Sequence, residues 1–533
     1  MFYAVVAVSA VVIFAAATAI FPARRGVLAA LAYPVGWIAG ELCYYTLIFE
    51  VGLVAYYVWR DHPVTWRLAV AAVLGALSVV LNLVLVAALA RARVVVARTL
   101  AGHERPIDVA RVENRFSSWW RSAALVSLHP RYLHRSTNVA YGAHRRHRLD
   151  VWRTTTTPLG APVILYLHGG AWTFGDKREQ GRPMLHEFVA HGWIVVTANY
   201  RLAPRDPWPA QIEDATRVLA WVKKNIGTHG GDPSRVVVAG GSAGGHLAAL
   251  LALSSEDPTW RPGDVVGVAD YRVAGAIPFY GVLEMIGDES YWRGLGAGIR
   301  SLLEHRVVQR PFEGHEDLYR ALSPLHRIHE AAPPFLVIQG VVDTLVDVNV
   351  ARGFVERFRE VALAPIYYVE LPLTQHAFDV TASTRTSATT RAAIAFAQSV
   401  VAGPPSPSLR QVFARAGEGI EVEIDGHWVT AAAAVSHLGE FVVVTAQNPG
   451  ATRLSDEVNA ARHALLDETL ARRGVARRPA RVSGLDGWPQ ERGFAIPGRS
   501  DTFARALAGA FDQAALYRVD DKGVSVQVVG RPG

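Results

Sequence analysis

The first hundred residues contain three long apolar runs separated by short polar segments. The runs are Phe2–Phe21, Val27–Trp59 and Leu68–Ala90. Each reaches the length of about 20 residues that an α-helix needs to cross the hydrocarbon core of a bilayer. A cleavable signal peptide would carry basic residues before its apolar run, but here Arg24 and Arg25 follow the first run and two more runs come after it. The pattern therefore predicts a membrane region over residues 1–100 with three transmembrane helices.

The middle run is longer than one span requires, and it contains Pro34, Glu41 and Glu50. Its length and its proline predict a helix that is tilted, kinked or partly interfacial. A glutamate at membrane depth is costly and often functional, which makes Glu41 a candidate. The alternative is that Glu41 faces a neighbouring helix or is neutral near the interface. That alternative is favoured, because the sequence places no second ionisable residue at that depth.

The arginines that flank these runs predict the orientation of the chain. The side with more basic residues is normally cytoplasmic. One side would carry Arg24, Arg25, Arg91, Arg93 and Arg98, and the other Arg60 and Arg67. We therefore expect a multi-pass protein of the cell membrane with its amino terminus outside and everything after residue 90 in the cytoplasm.

From about residue 160 the pattern changes to short apolar runs that alternate with longer segments of helical character. Such alternation predicts an α/β fold, in which a doubly wound, mostly parallel sheet is covered on both faces. Chemistry in open sheets of this kind takes place at the carboxyl ends of the strands. The runs are Val163–Leu167, Ile194–Thr197, Val236–Ala239, Val273–Phe279, Phe335–Ile338 and Ile366–Val369.

A serine between glycines follows the third of these runs. Gly240, Ser242 and Gly244 form a GxSxG pattern, with a helix-forming stretch from His246 to Leu253 behind it. A sharp turn from strand to helix forces the serine into a strained backbone and crowds its neighbours, so that glycine is needed on both sides. The context favours a serine nucleophile over a plain glycine turn.

The first run leads directly into His168-Gly169-Gly170-Ala171-Trp172. Acyl transfer passes through an oxyanion, which backbone N–H groups stabilise when they point at it. Glycines let the main chain approach that closely. Gly169 and Gly170 are expected to give two donors of an oxyanion hole, and Ala243, which follows the serine, a third.

A serine hydroxyl needs a base, and the base needs a carboxylate that fixes its tautomer. In this kind of fold the chain order is serine, acid, histidine. Asp343 follows the run Phe335–Ile338 and is the predicted acid. Asp347 is the competitor, but it comes later, where an acidic residue suits the first turn of a helix. His376 follows the last run and is the predicted base.

Residues from about 138 to 401 resemble the α/β-hydrolase family, and within it the hormone-sensitive-lipase-like esterases. The resemblance lies in HGGAW at 168–172, ANYRLAP at 198–204, GGSAGG at 240–245, VVDTLV at 341–346 and QHAF at 375–378. It implies carboxylic-ester hydrolysis without a cofactor, with Ser242, Asp343 and His376 as the catalytic residues. One departure is that alanine follows HGG where many relatives have a third glycine.

The segment from Leu283 to Leu322 is polar and longer than a simple crossover requires, so it is predicted to form a lid over the site. Trp172, Phe174 and Trp292 are candidates for an acyl pocket, although a place in the core is at least as common for aromatic residues. The sequence contains neither HExxH nor a cysteine cluster, and no metal is implied.

A proline-rich stretch at 403–408 predicts a linker between a catalytic domain, residues 101–402, and a small α+β domain, residues 409–533. In the latter the pattern predicts an alternating segment over Ile420–Trp428, a strand over Phe441–Ala446 and a helix that is capped at Ser455 and runs to Arg472. Segments 445–449, 487–494 and 511–517 resemble a small bacterial domain family of unknown function. Four polar residues are candidates for a site, although capping turns and satisfying buried backbone is the favoured role for them. They are Asn448, Asn459, Glu491 and Gln513.

Composition excludes some classes of function. The net charge of +7 comes without a nucleic-acid recognition motif, so nucleic acid is not an expected partner. The single cysteine, Cys43, excludes an intrachain disulfide.

The leading hypothesis is a membrane-anchored serine esterase or lipase acting on a small-molecule or lipid-like ester. An amidase, peptidase or formamidase would use the same triad. A ligand-binding protein without catalysis is less favoured, because a receptor needs no base. A transport or signalling role has only Glu41 in its support.

Overall fold

The computed structural model describes most of the chain, and its residues form two compact units. The first unit comprises residues 1–155, 163–223 and 235–400, and the second comprises 156–162, 224–234 and 401–533. The described residues are 2–23, 27–60, 66–112, 133–154, 157, 160–254, 257–265, 268, 270–292, 298–401, 419–447, 454–483, 490–499, 501–511, 513 and 515–528. The predicted linker at 403–408, Asn448 and residues 487–489 lie outside them.

Three long helices open the first unit: α1 (Phe2–Ile20), α2 (Val27–Arg60) and α3 (Trp66–Ala101). By length and composition, Phe2–Ile20, Leu31–Arg60 and Trp66–Ala101 are apolar enough to cross a membrane. The helices pack on one another through small and apolar side chains, in one cluster around Cys43 and Leu89 and another around Val5 and Tyr57. Many large apolar side chains of these helices remain exposed.

An eight-stranded sheet forms the centre of the first unit. Its strand order is β1-β2-β4-β3-β5-β6-β7-β8. β2 is antiparallel to both of its neighbours, β1 and β4. β3 is parallel to β4, and β6 is parallel to β5 and β7, as β8 is to β7. The strands are β1 (Leu133–Ala140), β2 (Arg148–Thr154), β3 (Ala161–Leu167), β4 (Ile194–Ala198), β5 (Gly231–Gly241), β6 (Gly275–Phe279), β7 (Phe335–Gly340) and β8 (Ile366–Leu371).

All six apolar runs are strands of this sheet, so the predicted strand positions are confirmed. β1 and β2 were not predicted, because β1 is a largely exposed edge strand and both are rich in polar residues. The helices between and after the strands are α4 (Arg182–Ala190), α5 (Ala210–Asn225), α6 (Ala243–Leu253), α7 (Ile299–Leu302), α8 (Glu316–Leu322), α9 (Val348–Val361) and α10 (Thr384–Val401).

The second unit contains a seven-stranded sheet of order β10-β9-β12-β13-β11-β14-β15, in which every recorded pair is antiparallel. The predicted strand is β11, and the predicted helix is α12, whose N-cap Ser455 accepts a hydrogen bond from the N–H of Val458. Apolar clusters pack on both faces of the sheet. The elements are β9 (Ile420–Ile424), β10 (His427–Thr430), α11 (Ala431–Leu438), β11 (Phe441–Thr445), α12 (Asp456–Arg472), β12 (Arg478–Val482), β13 (Glu491–Pro497), α13 (Asp501–Ala510), β14 (Ala515–Asp520) and β15 (Gly523–Val528).

Candidate active site

Ser242 lies at the sharp turn between β5 and α6. Its φ of 57° and ψ of −121° are strained for a residue with a side chain. A Cβ at Gly244 would lie 2.0 Å from the carbonyl oxygen of Leu167, and one at Gly240 would lie 2.3 Å from the carbonyl oxygen of Gly244. The turn therefore has no room for side chains at either glycine. Ser242 itself is half-buried at the carboxyl end of the sheet.

The HGG segment lies beside this serine. A Cβ built on Gly169 would lie 3.2 Å from the Cβ of Ser242. Gly170 has a φ of 116°, and a Cβ there would lie 2.1 Å from the carbonyl oxygen of Phe174, so the chain can turn here only with glycine. Ala243 begins α6, and the first N–H groups of a helix have no acceptor within the helix.

Gly169 differs from the sequence-based expectation. Its N–H donates to Oε1 of Gln180 at 2.7 Å, so this donor is already engaged. Gln180 lies outside every motif, so its role could not be predicted from the sequence. Gly170 and Ala243 are left as the candidate pair of oxyanion donors.

Asp343 and His376 meet at the ends of β7 and β8. His376 Nδ1 lies 2.8 Å from Asp343 Oδ2, and both side chains are almost completely buried. The other carboxylate oxygen of Asp343 accepts the N–H groups of Leu345 and Val346, each at 2.9 Å. Gln339 Nε2 donates to Oδ2 at 3.1 Å. The carboxylate is therefore fixed by four donors, one of which is the imidazole.

Asp347 has the other role that the sequence predicted for it. It is the N-cap of α9, and its Oδ1 accepts the N–H of Asn349 at 3.0 Å.

Gln375 connects the loop of the acid to the loop of the histidine. Its Oε1 accepts the backbone N–H of Thr344 at 3.0 Å and that of His376 at 3.1 Å. These two donors identify the oxygen end of the amide.

Tyr280 lies between the serine turn and the histidine. Its ring centroid is 4.6 Å from that of His376, and a Cβ at Gly241 would lie 2.6 Å from its hydroxyl. The hydroxyl donates to Asp379 Oδ1. Burial raises the pKa of Asp379 to about 6, although the bond from Tyr280 opposes this. Sequence reasoning missed both residues, because neither belongs to the triad pattern.

Two histidines near the site have structural environments. Burial lowers the pKa of His168 and of His246 to about 4, so both are neutral at pH 7. His246 Nδ1 accepts the indole N–H of Trp172 at 3.2 Å, and its Nε2 lies 2.8 Å from the carbonyl oxygen of Leu322.

The three aromatic candidates for an acyl pocket differ in their exposure to solvent. Trp172 and Trp292 are 1% and 3% exposed, which supports the core role for both. The indole N–H of Trp292 donates to the buried Glu284 at 2.6 Å. Phe174 is 64% exposed and lies four residues after Gly170.

Comparisons with known proteins address the middle part of the chain. Residues 149–358 match the family model BD-FAE. The chain is 43% identical over 268 residues to the "Probable carboxylic ester hydrolase LipM" of Mycobacterium tuberculosis, a match that covers 50% of this chain and 61% of that protein. It is 40% identical over 260 residues to "Esterase LipQ" of the same organism, covering 48% and 60%. The middle domain has the α/β-hydrolase fold and is similar to esterases of the hormone-sensitive-lipase-like kind.

The match spans about three-fifths of the length of these curated relatives. Among solved structures, an inhibited esterase B from Lactobacillus rhamnosis aligns with a TM-score of 0.45 and 20% identity, covering 62% of this chain and 99% of that one. Residues 444–516 match a "Protein of unknown function (DUF3293)", which confirms the resemblance predicted for the carboxy-terminal domain.

The expectation that Glu41 has no ionisable partner was wrong, because the α/β-hydrolase domain supplies one. Arg385 of α10 donates from Nη1 to Glu41 Oε1 at 2.6 Å, and both side chains are essentially inaccessible to solvent. The two residues are 344 positions apart, so the sequence could not pair them.

The polar candidates of the carboxy-terminal domain contact backbone and one another. The hydroxyl of Thr445 lies within hydrogen-bond distance of Glu491 Oε2, at 2.8 Å, and of Gln513 Oε1, at 2.7 Å. Gln513 Nε2 also donates to the carbonyl oxygen of Gln447 at 2.9 Å, and Asn459 Nδ2 to that of Leu454 at 3.3 Å. These contacts support the structural role that the sequence favoured.

Proposed function

We propose that this chain is a membrane-anchored serine hydrolase that cleaves carboxylic esters through Ser242, Asp343 and His376 and an acyl-enzyme intermediate. The observation that carries the proposal is the hydrogen bond between His376 Nδ1 and Asp343 Oδ2, at the strand ends beside a serine with a strained backbone. The names of the curated relatives support an ester as the substrate.

In this mechanism His376 Nε2 takes the proton of the Ser242 hydroxyl while Oγ bonds the ester carbonyl carbon. The carbonyl electron pair moves to oxygen, and the N–H groups of Gly170 and Ala243 stabilise the oxyanion. Collapse of this intermediate breaks the bond to the alcohol, which leaves with the proton from His376. Water then repeats the cycle on the acyl-enzyme and releases the acid and the free serine. Asp343 holds His376 in the tautomer with hydrogen on Nδ1 throughout.

The long apolar helices support attachment to a membrane. α2 has 34 residues and a length of about 51 Å, so it exceeds the ~30 Å hydrocarbon core and extends beyond it. The arginine bias favours a cytoplasmic location for the catalytic and carboxy-terminal domains. Access from a bilayer favours a lipid-like ester, and we retain the division into a membrane region, a catalytic domain and a small carboxy-terminal domain.

The test is hydrolysis of p-nitrophenyl esters from acetate to palmitate by the detergent-solubilised full chain. We expect activity that is lost in Ser242→Ala and kept in Ser301→Ala, a matched change at an exposed serine. The chain length that gives the highest kcat/KM reports the acyl preference. A folded protein that hydrolyses amides but no ester would favour an amidase instead, and one that hydrolyses neither would favour a binding role.

A further inference from the structure

The loop that carries His376 has an unusual backbone. It connects β8 to α10 and includes Leu373 and Ala377, whose φ values are 46° and 55°. Non-glycine residues in this region are strained and keep that conformation only where their surroundings hold them. The contacts that hold this loop therefore decide where the imidazole lies.

One side of the loop is held by a buried ion pair with helix α2. Arg385 donates from Nη1 to Glu41 Oε1 at 2.6 Å and from Nη2 to the carbonyl oxygen of Leu373 at 2.9 Å. A weaker contact of 3.3 Å joins Nη1 to the carbonyl oxygen of Gly40. The guanidinium thus bridges the carboxylate of an apolar helix and the first strained residue of the loop.

The other side of the loop is held by an indole of the same helix. Trp37 Nε1 donates to the carbonyl oxygen of Ala377 at 3.0 Å, directly after His376. Trp37 and Glu41 are four residues apart, so they lie on one face of α2. Tyr33, one turn earlier, has its ring centroid 6.1 Å from that of His376. A Cβ at Gly36 would lie 3.6 Å from Cγ of Gln375.

The apolar packing is continuous with these polar contacts. Leu373 packs against the cluster that Cys43, Leu89 and their neighbours form between the three helices. The strained loop is therefore bonded to α2 on both sides of His376 and packed against the helical bundle.

We propose that α2 positions the catalytic base: Glu41 acts through Arg385 and Trp37 acts through Ala377 to hold the loop in which His376 faces Asp343. This inference rests on the proposed function, since it gives His376 the role of base. It makes an apolar helix a part of the catalytic apparatus as well as an anchor. Glu41 and Trp37 are positioning residues, because neither contacts the reacting atoms.

The test uses the full chain in detergent, with p-nitrophenyl butyrate as substrate. Glu41→Gln removes the countercharge of Arg385, and Trp37→Phe removes the indole donor while keeping an aromatic ring. Glu50→Gln is the matched control, the same change at a buried glutamate on the same helix. A misplacement of about 1 Å can cost about 10²-fold in rate. We expect kcat to fall by roughly 10- to 100-fold in Glu41→Gln and by about 10-fold in Trp37→Phe, with KM within about twofold.

A second measurement separates positioning from loss of folded protein. In a His376→Ala background the base is gone, so Glu41→Gln should change the remaining rate by less than about twofold. A merely structural role would lower that rate as much as it lowers the rate of the wild type. Active-site titration with a fluorophosphonate corrects the rates of the variants that keep His376. Size-exclusion chromatography measures the amount of folded protein for the variants that lack it.

The outcomes distinguish this inference from the proposed function. A wild type without esterase activity, or one whose activity survives Ser242→Ala, overturns the proposed function. If the wild type is active but Glu41→Gln and Trp37→Phe have the same rate as Glu50→Gln, only the positioning role is overturned. Equal losses in the wild-type and His376→Ala backgrounds overturn it as well.

Discussion

Replacing Asp343 by Asn tests the role of the carboxylate without changing its size. Oδ1 of Asp343 accepts two backbone N–H groups, so the carbonyl oxygen of an asparagine must occupy that position. Its NH₂ group then takes the place of Oδ2 and faces His376 Nδ1 and Gln339 Nε2. In the wild type these two atoms lie 2.8 and 3.1 Å from Oδ2. A donor beside Nδ1 forces the hydrogen of the imidazole onto Nε2. Nε2 can then no longer accept the proton of Ser242.

A tautomer error of this kind costs about 10⁴-fold in kcat, which corresponds to about 5.5 kcal/mol. The amide also faces the NH₂ of Gln339, and a buried donor without an acceptor costs about 1–3 kcal/mol of stability. We therefore expect kcat on p-nitrophenyl butyrate to fall by about 10⁴-fold while the protein remains folded, with a lower thermal midpoint.

The matched control is Asp347→Asn. Asparagine caps helices about as well as aspartate, so this variant should keep its activity within about twofold and lose only a few tenths of a kcal/mol. If Asp343→Asn retains more than a tenth of the wild-type kcat, the assignment of Asp343 as the carboxylate of the base is refuted.

Two further predictions concern the serine turn and the buried His246. Gly244→Ala would place a Cβ 2.0 Å from the carbonyl oxygen of Leu167, so we expect little folded protein by size-exclusion chromatography, whereas Gly263→Ala, at an open position, should behave as the wild type. Burial lowers the pKa of His246 to about 4 from about 6.5, so its contribution to stability is complete above pH 6.5 and is lost as the pH falls towards 4. This loss is roughly 2 kcal/mol at pH 5, and the thermal midpoint of His246→Gln should fall less between pH 7.5 and 5 than that of the wild type; an equal fall would contradict the assignment.

Local patterns were sufficient for the elements that depend on them. The six strands of the central sheet and the three long helices each contain a continuous apolar run, and the helix after Ser455 has a capping serine; a single segment reveals each of these signals. The chain order of Ser242, Asp343 and His376 followed from the positions of strand ends, and Asp343 and His376 do meet at one edge of the sheet.

The features that the sequence did not predict depend on contacts between distant segments. β1 is an exposed edge strand whose polar residues give no apolar run. Gln180 engages the N–H of Gly169 from outside any motif. The pairing of Glu41 with Arg385 requires contact between α2 and α10, so the sequence showed only a glutamate inside an apolar run.

The residue at which a mechanism-based reagent reacts decides whether Ser242 is the nucleophile. The full chain in detergent would be treated with an alkyl fluorophosphonate, and the modified residue would be located by peptide mass spectrometry. We expect one phosphonyl group per chain on Ser242, with none in Ser242→Ala and a much slower reaction in His376→Ala. Modification of another residue, or no modification of a folded protein, would contradict it.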